Sequence, residues 1–128
     1  MREVGGVRRE KRRHHELEVW RDALDLVEMI YQASSSFPSD ERFGLSTQIP
    51  RAAVSVPSNI AEGAARGTRA ELIHFLHMTR GSLSEIDTQW RIARRLGYLG
   101  EDEAIDEQLD CVFAKLGGLL NALKKPGP

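Results

Sequence analysis

One stretch of the sequence decides the fold class, residues 68–97, which read TRAELIHFLHMTRGSLSEIDTQWRIARRLG. Its first four residues have the form of a capping box, because the Thr68 hydroxyl and the Glu71 carboxylate can each accept a hydrogen bond from a free backbone amide. Apolar residues then recur every three or four positions until Gly97, a C-terminal stop. The spacing predicts a helix of about 29 residues, near 43 Å long. Its expected buried side is Leu72, Phe75, Leu76, Leu83, Ile86, Trp90 and Ala93 or Leu96.

Three further stretches show helical spacing of apolar residues. The first is expected to run from about His15 to Ser34, and the second to start at Ser39, whose hydroxyl is a good N-cap. The fourth begins near Glu101 and ends at Pro126. Their stripes are Leu17, Trp20, Leu24, Val27 and Ile30, then Leu45, Ile49, Ala52, Ala53, Val56 and Ile60, and last Ile105, Leu109, Val112, Phe113, Leu116, Leu120 and Leu123.

Four amphipathic helices with short connections, and no alternating strand pattern, predict an all-α fold. The expected architecture is an antiparallel, up-down-up-down four-helix bundle over residues 15–125. A basic tail over residues 1–14 precedes it, and a flexible C-terminus over residues 126–128 follows it.

Proline and glycine are expected to shape the second and third helices. Pro50 and Pro57 each remove a backbone hydrogen bond, at a cost of about 3 kcal/mol inside a helix, so we expect a bend or a break. Gly63 and Gly67 are expected to let the chain reverse. Gly81 costs about 1 kcal/mol relative to alanine in mid-helix, and this predicts the close approach of another backbone.

A polar stripe follows the second helix on the side opposite its apolar residues. Serine and asparagine are mediocre helix formers, so their accumulation points to a tertiary role. The stripe is compatible with a binding surface, a polar network between helices or a solvated face, and we favour a contact between helices or subunits. Its members are Gln48, Arg51, Ser55, Asn59, Glu62 and Arg66.

Composition sets broad limits on the function. The 128 residues are 41% hydrophobic and 29% charged, which suits a folded domain. No apolar run approaches the roughly 20 residues that span a bilayer, and the N-terminus lacks the apolar core of a signal peptide. The single Cys111 cannot form an internal disulfide and is expected in the core or at its boundary. We therefore expect a cytoplasmic protein without membrane contact.

The net charge of -1 is unevenly distributed. Residues 1–13 hold six basic and two acidic side chains, and residues 42–95 hold eight arginines and four acids. These basic regions meet either a polyanion or acidic parts of the same or a neighbouring copy, and the near-zero net charge favours the second. The candidates for contact with nucleic acid or another partner are Arg8, Arg9, Lys11, Arg12, Arg13, Arg51, Arg66, Arg69, Arg80, Arg94 and Arg95.

Candidate chemistry is sparse. Glu71 and His74 form Glu-x-x-His, a pattern that builds di-metal sites when two helices carry it, but it occurs once here. Glu62 and His77 would be needed as further ligands, so a metal-dependent enzyme is the least favoured hypothesis. Phosphate-binding glycine loops and a Gly-x-Ser-x-Gly nucleophile motif do not occur. We therefore expect no catalytic residues, no metal and no cofactor.

Residues 48–63, QIPRAAVSVPSNIAEG, resemble the signature of the four-helix bundle proteins first noticed in intervening sequences of bacterial 23S ribosomal RNA genes. The similarity covers about residues 16–124 and includes residues 20–31, 80–83 and 96–99. The residues that carry the motif, or its expected packing, are Gln48, Arg51, Ser55, Pro57, Asn59, Glu62, Gly63, Gly81 and Ser82.

The resemblance implies a bundle that assembles as a ring-like homopentamer and has no enzyme activity. Relatives include the accessory protein of diversity-generating retroelements, which binds reverse transcriptase and nucleic acid. The leading hypothesis is a non-enzymatic oligomeric interaction scaffold. The alternative is an accessory protein that binds RNA or DNA and a reverse transcriptase through its arginine-rich surfaces.

Overall fold

The computed structural model describes residues 12–41 and 44–126, together with the backbone of two short strands near the N-terminus. The strands β1 (Glu3–Val4) and β2 (Val7–Arg8) pair antiparallel, with Glu3 opposite Arg8 and Val4 opposite Val7. This hairpin lies in the region where we expected only a basic tail. Each strand has two residues, too few to give a recognisable alternating pattern. The expected flexible C-terminus lies mostly outside the described residues.

Four helices follow: α1 (Glu18–Ser34), α2 (Leu45–Ala65), α3 (Arg69–Arg95) and α4 (Ala104–Lys124). Among the described residues, each helix packs against its neighbour in the chain, α4 returns to α1, and the pairs α1/α3 and α2/α4 make no close backbone contact. Ser55 lies opposite Ser82 and Gln48 opposite Gln89, so α2 and α3 run antiparallel. The predicted all-α, up-down bundle is confirmed.

The start of α1 differs from the prediction. Residues Arg13–Glu16 form a 3₁₀ turn, and Leu17 is extended between that turn and α1. The rings of His14 and His15 pack against Trp20, at centroid distances of 4.8 and 5.2 Å. This aromatic contact holds the turn against α1, so the predicted start at His15 is three residues too early.

The predicted start of α2 at Ser39 is also wrong, by six residues. Gly44 is the N-cap and has a left-handed φ of 67°, a conformation that favours glycine. The Glu41 carboxylate accepts a hydrogen bond from the backbone N–H of Leu45 at 2.6 Å. A carboxylate outside the helix thus takes the capping role that we had assigned to a serine.

Pro50 and Pro57 do not break α2, which is continuous from Leu45 to Ala65. Both proline residues are buried. Burial of their apolar rings offsets part of the cost of the two missing backbone hydrogen bonds.

Both ends of α3 lie close to their predicted positions, but only one of the two hydrogen bonds of the predicted capping box is present among the described residues. The Thr68 hydroxyl accepts a hydrogen bond from the backbone N–H of Glu71 at 3.1 Å. Gly97 has a φ of 81°, and the N–H groups of Gly97 and Tyr98 donate to the carbonyls of Arg94 and Ala93, each at 3.0 Å. These two bonds form a Schellman motif. At 27 residues, α3 is close to its predicted length, and Ala93 rather than Leu96 closes its buried side.

The start of α4 is also later than predicted. Glu103 is the N-cap residue, and the helix begins at Ala104. Asp102 Oδ1 accepts a hydrogen bond from the Ala104 N–H at 2.9 Å.

The core is built largely from the predicted apolar stripes of α2, α3 and α4, although Phe75, Phe113 and Leu123 are only partly buried. In α1 the predicted stripe is wrong except for Ile30, because Leu24 is exposed and Leu17, Trp20 and Val27 are partly buried. The buried side of α1 is instead formed by Val19, Ala23, Leu26 and Ile30. Each of the four helices contributes side chains that are nearly inaccessible to solvent. The largest of these are Leu26, Ile30, Ile49, Ile60, Leu76, Leu83, Ile86, Leu116 and Leu120.

Gly63 and Gly81 have the opposite roles to those predicted. A Cβ at Gly63 would lie 2.8 Å from Phe75 Cβ and 3.2 Å from Leu72 Cδ1, so Gly63 lies inside α2 and permits its close contact with α3. A Cβ at Gly81 would meet no atom within 4 Å. The prediction that another backbone segment of the chain approaches Gly81 closely is therefore wrong for the described residues.

These two glycines form a matched pair of alanine substitutions. We expect Gly63→Ala to lower the free energy of unfolding by about 1–3 kcal/mol, because the new methyl overpacks the α2/α3 contact. Gly81→Ala should raise it by about 0.5–1 kcal/mol, because alanine is the better helix former and the site is open. Urea denaturation of both variants measures the effects. Equal changes of the same sign would contradict the assignment.

Candidate interaction surfaces

The seam between α2 and α3 contains much of the polar stripe. Ser55 Oγ lies 2.6 Å from the Ala52 carbonyl oxygen and 2.7 Å from Ser82 Oγ. A hydroxyl has one proton, so Ser55 satisfies both contacts when it donates to Ala52 and accepts from Ser82. Asn59 Nδ2 donates to the Ser55 carbonyl at 2.8 Å. These groups join two helices of one chain.

The remaining members of the stripe divide between the seam and solvent. Gln89 Nε2 donates to Gln48 Oε1 at 3.3 Å. Arg51 and Glu62 are exposed on the outside of α2, where Glu62 accepts from Arg66 Nη2 at 2.8 Å. The stripe is therefore partly a helix contact and partly a solvated face.

Two of the candidate basic residues are engaged in ion pairs. Arg94 donates two hydrogen bonds to Asp106, at 3.1 and 2.7 Å, and Arg66 pairs with Glu62. The side chains of Arg8, Arg9 and Lys11 lie outside the described residues. The other candidates are exposed: Arg12, Arg13, Arg51, Arg69, Arg80 and Arg95.

A basic cluster lies on α3 and the end of α4, and it consists of His74, His77, Arg80 and Lys124. All four side chains are exposed, and none forms a salt bridge with a carboxylate of the described residues. Desolvation, and then the charges of Lys124, Arg80 and His74, lower the pKa of His77. These basic groups thus act on one another electrostatically.

The residues considered for a metal do not converge. Within residues 12–41 and 44–126, no group of three or more His, Cys, Asp or Glu side chains could hold a metal ion. Of the four sequence candidates, Glu62 pairs with Arg66, and His74 and His77 belong to the basic cluster.

Lys115 joins α4 to α1 through an ion-pair contact that sequence reasoning missed. Its ammonium group donates to Glu18 Oε1 at 2.8 Å and to Asp22 Oδ2. The hydrogen bonds to Asp22 and Glu18 raise the pKa of Lys115. Cys111 is half-buried, and its Sγ is 3.9 Å from Asp22 Oδ2. Lys115 lies more than 90 residues from both acidic partners in the chain, so no local sequence pattern predicts this contact.

An apolar surface, the α1–α2 face, runs along the outside of these two helices. Its exposed members include Leu24, Tyr31 and Val54, with 41%, 52% and 40% of their surface accessible. A groove of about 330 Å³ lies in it and has no Asp, Glu, Lys or Arg in its lining. That lining is His14, Trp20, Leu24, Val27, Val54, Pro57, Ser58 and Ala61.

One side of α2 forms the polar seam, and another side forms part of the α1–α2 face. The same segment of α2 carries the family motif. The sequence model of the 23S rRNA-intervening sequence protein family matches residues 15–118. The chain belongs to this family. The match spans all of α1, α2 and α3 and most of α4, so the family assignment covers the bundle. No curated protein shows a significant match.

In this member of the family, none of the described helices combines the length and apolar character needed to cross a membrane.

The Arg94–Asp106 pair predicts a pH effect on stability. Its hydrogen bonds lower the pKa of Asp106, so the folded state favours the carboxylate. The stabilisation is complete at neutral pH and is lost as the pH falls through the ordinary aspartate range towards the lowered pKa. We expect Asp106→Asn to cost about 1 kcal/mol at pH 7, since both side chains are about one-third exposed, and to cost progressively less in acid. Thermal unfolding between pH 3 and pH 7 measures this. A cost that stayed constant over the range would contradict it.

Proposed function

We propose that this family member is a non-enzymatic, cytoplasmic bundle that assembles with copies of itself into a ring and serves as an interaction scaffold. The observation that carries the proposal is the α1–α2 face. Exposed apolar surface of this kind marks protein contacts, and the absence of Asp, Glu, Lys and Arg from the groove lining lowers the cost of removing it from water.

A second apolar stripe on the chain supports a ring rather than a two-fold dimer. Met78, Ile92 and Leu96 on α3 are 45%, 43% and 46% exposed. The α1–α2 face lies where α2 meets α1, whereas this stripe lies on α3, across the Ser55–Ser82 contact, so we treat the two as separate surfaces. Two different complementary surfaces on each copy make a head-to-tail contact, which closes into a ring when the rotation between copies permits. A homopentamer, as implied by the family resemblance, is the proposed size.

The polar side chains of the seam support a role without catalysis. Ser55 and Ser82 contact each other, and neither makes a hydrogen bond to a histidine or carboxylate among the described residues. A serine without a positioned base is a poor nucleophile.

Light scattering coupled to size-exclusion chromatography tests the assembly. We expect a mass of about 72 kDa, five times the 14.4 kDa of one chain. Val54→Lys should shift the mass towards that of a single chain without loss of helical content, because it places a charge on the exposed α1–α2 face. Met78→Lys should act in the same way from the α3 stripe.

Ala114→Lys is the matched control, because Ala114 is exposed on α4, away from both apolar surfaces. It should leave the mass unchanged. A wild-type protein that remains at 14.4 kDa would overturn the proposal. Dissociation by Val54→Lys but not by Met78→Lys would instead indicate a symmetric contact between two α1–α2 faces.

The basic cluster supports a second candidate function, contact with RNA or DNA. Its two permanent cations, Arg80 and Lys124, have no carboxylate partner among the described residues, and such groups favour a polyanion, whose phosphates relieve their mutual repulsion. Arg80 is the central residue of the cluster to test, because it is exposed and lies on α3 beside His77.

The salt dependence of binding to a labelled single-stranded oligonucleotide tests this alternative. Replacing Arg80 by glutamine should weaken binding and reduce the slope of log affinity against log salt by about 0.7. Arg91→Gln is the control, because Arg91 Nε already pairs with Asp87 at 3.1 Å. The absence of wild-type binding at low salt, or equal effects of the two variants, would contradict the assignment.

A further inference from the structure

Gly81 lies near the middle of α3, where neither the backbone nor the packing of the described chain requires a glycine. Gly44 and Gly97 are the only described glycines with a positive φ, so Gly81 has an ordinary helical conformation. A Cβ at Gly81 would meet no atom within 4 Å. Glycine is among the poorest helix formers, because it loses the most backbone freedom on folding. Its presence here leaves room for another molecule to approach α3 closely.

Gly81 belongs to a row of exposed residues along the outside of α3. The row follows alternating steps of three and four positions, and its members are Met78, Gly81, Glu85, Thr88 and Ile92. Met78 and Ile92 have 45% and 43% of their surface accessible. Steps of three and four are the spacing of a seam along which one helix packs against others. The outside of α3 therefore has the pattern of a second packing surface, with the smallest residue between two large apolar ones.

The groove of the α1–α2 face can receive such a helix. One wall comes from α1 and contains Trp20, Leu24 and Val27, and the other comes from α2 and contains Val54, Pro57, Ser58 and Ala61. Ser58 and Ala61 have small side chains, which permit a short distance between packed helices. An exposed helix face that lies in an apolar groove is a common mode of protein recognition.

The charges beside the row on α3 differ between its two sides. Arg80 lies about four turns before Arg94, which bonds to Asp106, so Arg80 lies towards α4. Glu85 lies one turn from both Ser82 and Gln89, which contact α2, so Glu85 lies towards α2. Arg80 and Glu85 are exposed, and neither forms a salt bridge with another described residue. One side of the row is thus basic and the other acidic.

The charges beside the groove have the complementary arrangement. Asp25 and Glu28 follow Leu24 on α1, by one position and by one turn, and Arg51 lies one turn before Val54 on α2. Asp25, Glu28 and Arg51 are exposed and form no salt bridge with another described residue.

The other charges near this groove are already engaged. Arg21 Nη1 donates to the His15 carbonyl at 2.7 Å, and Glu62 pairs with Arg66. The charges left for a partner are therefore acidic beside α1 and basic beside α2.

We propose that α3 of one copy lies in the α1–α2 groove of a second copy, with Gly81 at the point of closest approach. In this arrangement Arg80 lies beside the acidic groups of α1, and Glu85 lies beside Arg51 of α2. Complementary charges of this kind determine the orientation in which two surfaces meet. The inference rests on the proposed assembly and names the two elements that form its contact.

Leucine substitution at two open glycines tests the contact. Gly81→Leu should reduce the mass measured by light scattering from that of the assembly to the 14.4 kDa of one chain. Helical content should not fall, because the site is open within the chain and leucine is the better helix former. Gly118→Leu is the matched control, because Gly118 is equally open and α4 has no exposed large apolar residue among those described. It should leave the mass unchanged.

Charge reversal tests the orientation with a second set of variants. Replacing Asp25 and Glu28 together by lysine should raise the protein concentration at which half of the assembly dissociates by several-fold at low salt. Arg80→Glu should have the same effect from the other side of the contact. The chain that carries all three substitutions should regain the lost affinity, because the charges are again complementary. Circular dichroism establishes that each variant is folded.

The outcomes separate this inference from the proposed function. A wild-type protein that stays at 14.4 kDa overturns both. A wild-type assembly that tolerates Gly81→Leu, or that Gly118→Leu disrupts equally, overturns the contact at α3 and leaves the proposed assembly standing. A combined charge variant that is weaker than either parent overturns the assigned orientation.

Discussion

The close contact between α2 and α3 is the constraint on which the rest of the structure depends. At Gly63 the two helices approach until an added methyl group would lie 2.8 Å from Phe75 Cβ. One helical turn away, Asn59 bonds to the Ser55 carbonyl, and Ser55 meets Ser82 across the seam. Small and polar side chains thus allow a short distance between α2 and α3 that larger apolar residues would prevent.

This contact also determines what α2 presents on its other side. Because Ser55 and Asn59 face α3, Val54, Pro57 and Ala61 lie towards α1, where they meet Trp20 and complete the apolar face. Successive side chains of a helix point in different directions, with 3.6 residues per turn. The polar residues that face α3 are therefore different from the apolar residues that face α1. The motif that defines the family therefore contributes to two surfaces at once.

Helix identity was predictable because it depends on local periodicity. The start of α3 at Thr68 and its stop at Gly97 follow from residues within a few positions of each end. The starts of α1 and α2 were mispredicted because they depend on contacts that no propensity describes, the packing of two histidine rings on Trp20 and the reach of Glu41 to the Leu45 N–H. Gly81 was misassigned for the same reason, since its neighbours are set by the packing of the helices.

The sequence by itself determined the all-α class, the four helices and membership of the family, because apolar spacing and a continuous motif are properties of the chain read in order. Tertiary structure alone decided which polar groups meet. It placed Lys115 between Glu18 and Asp22, paired Arg94 with Asp106 and buried the Trp90 N–H without an acceptor among the described residues. Periodicity predicts a helix with an apolar side, but in α1 it selected Leu24, which is exposed, instead of Leu26, which is buried. The rotation and height of each helix against its neighbours arise only when the whole core packs.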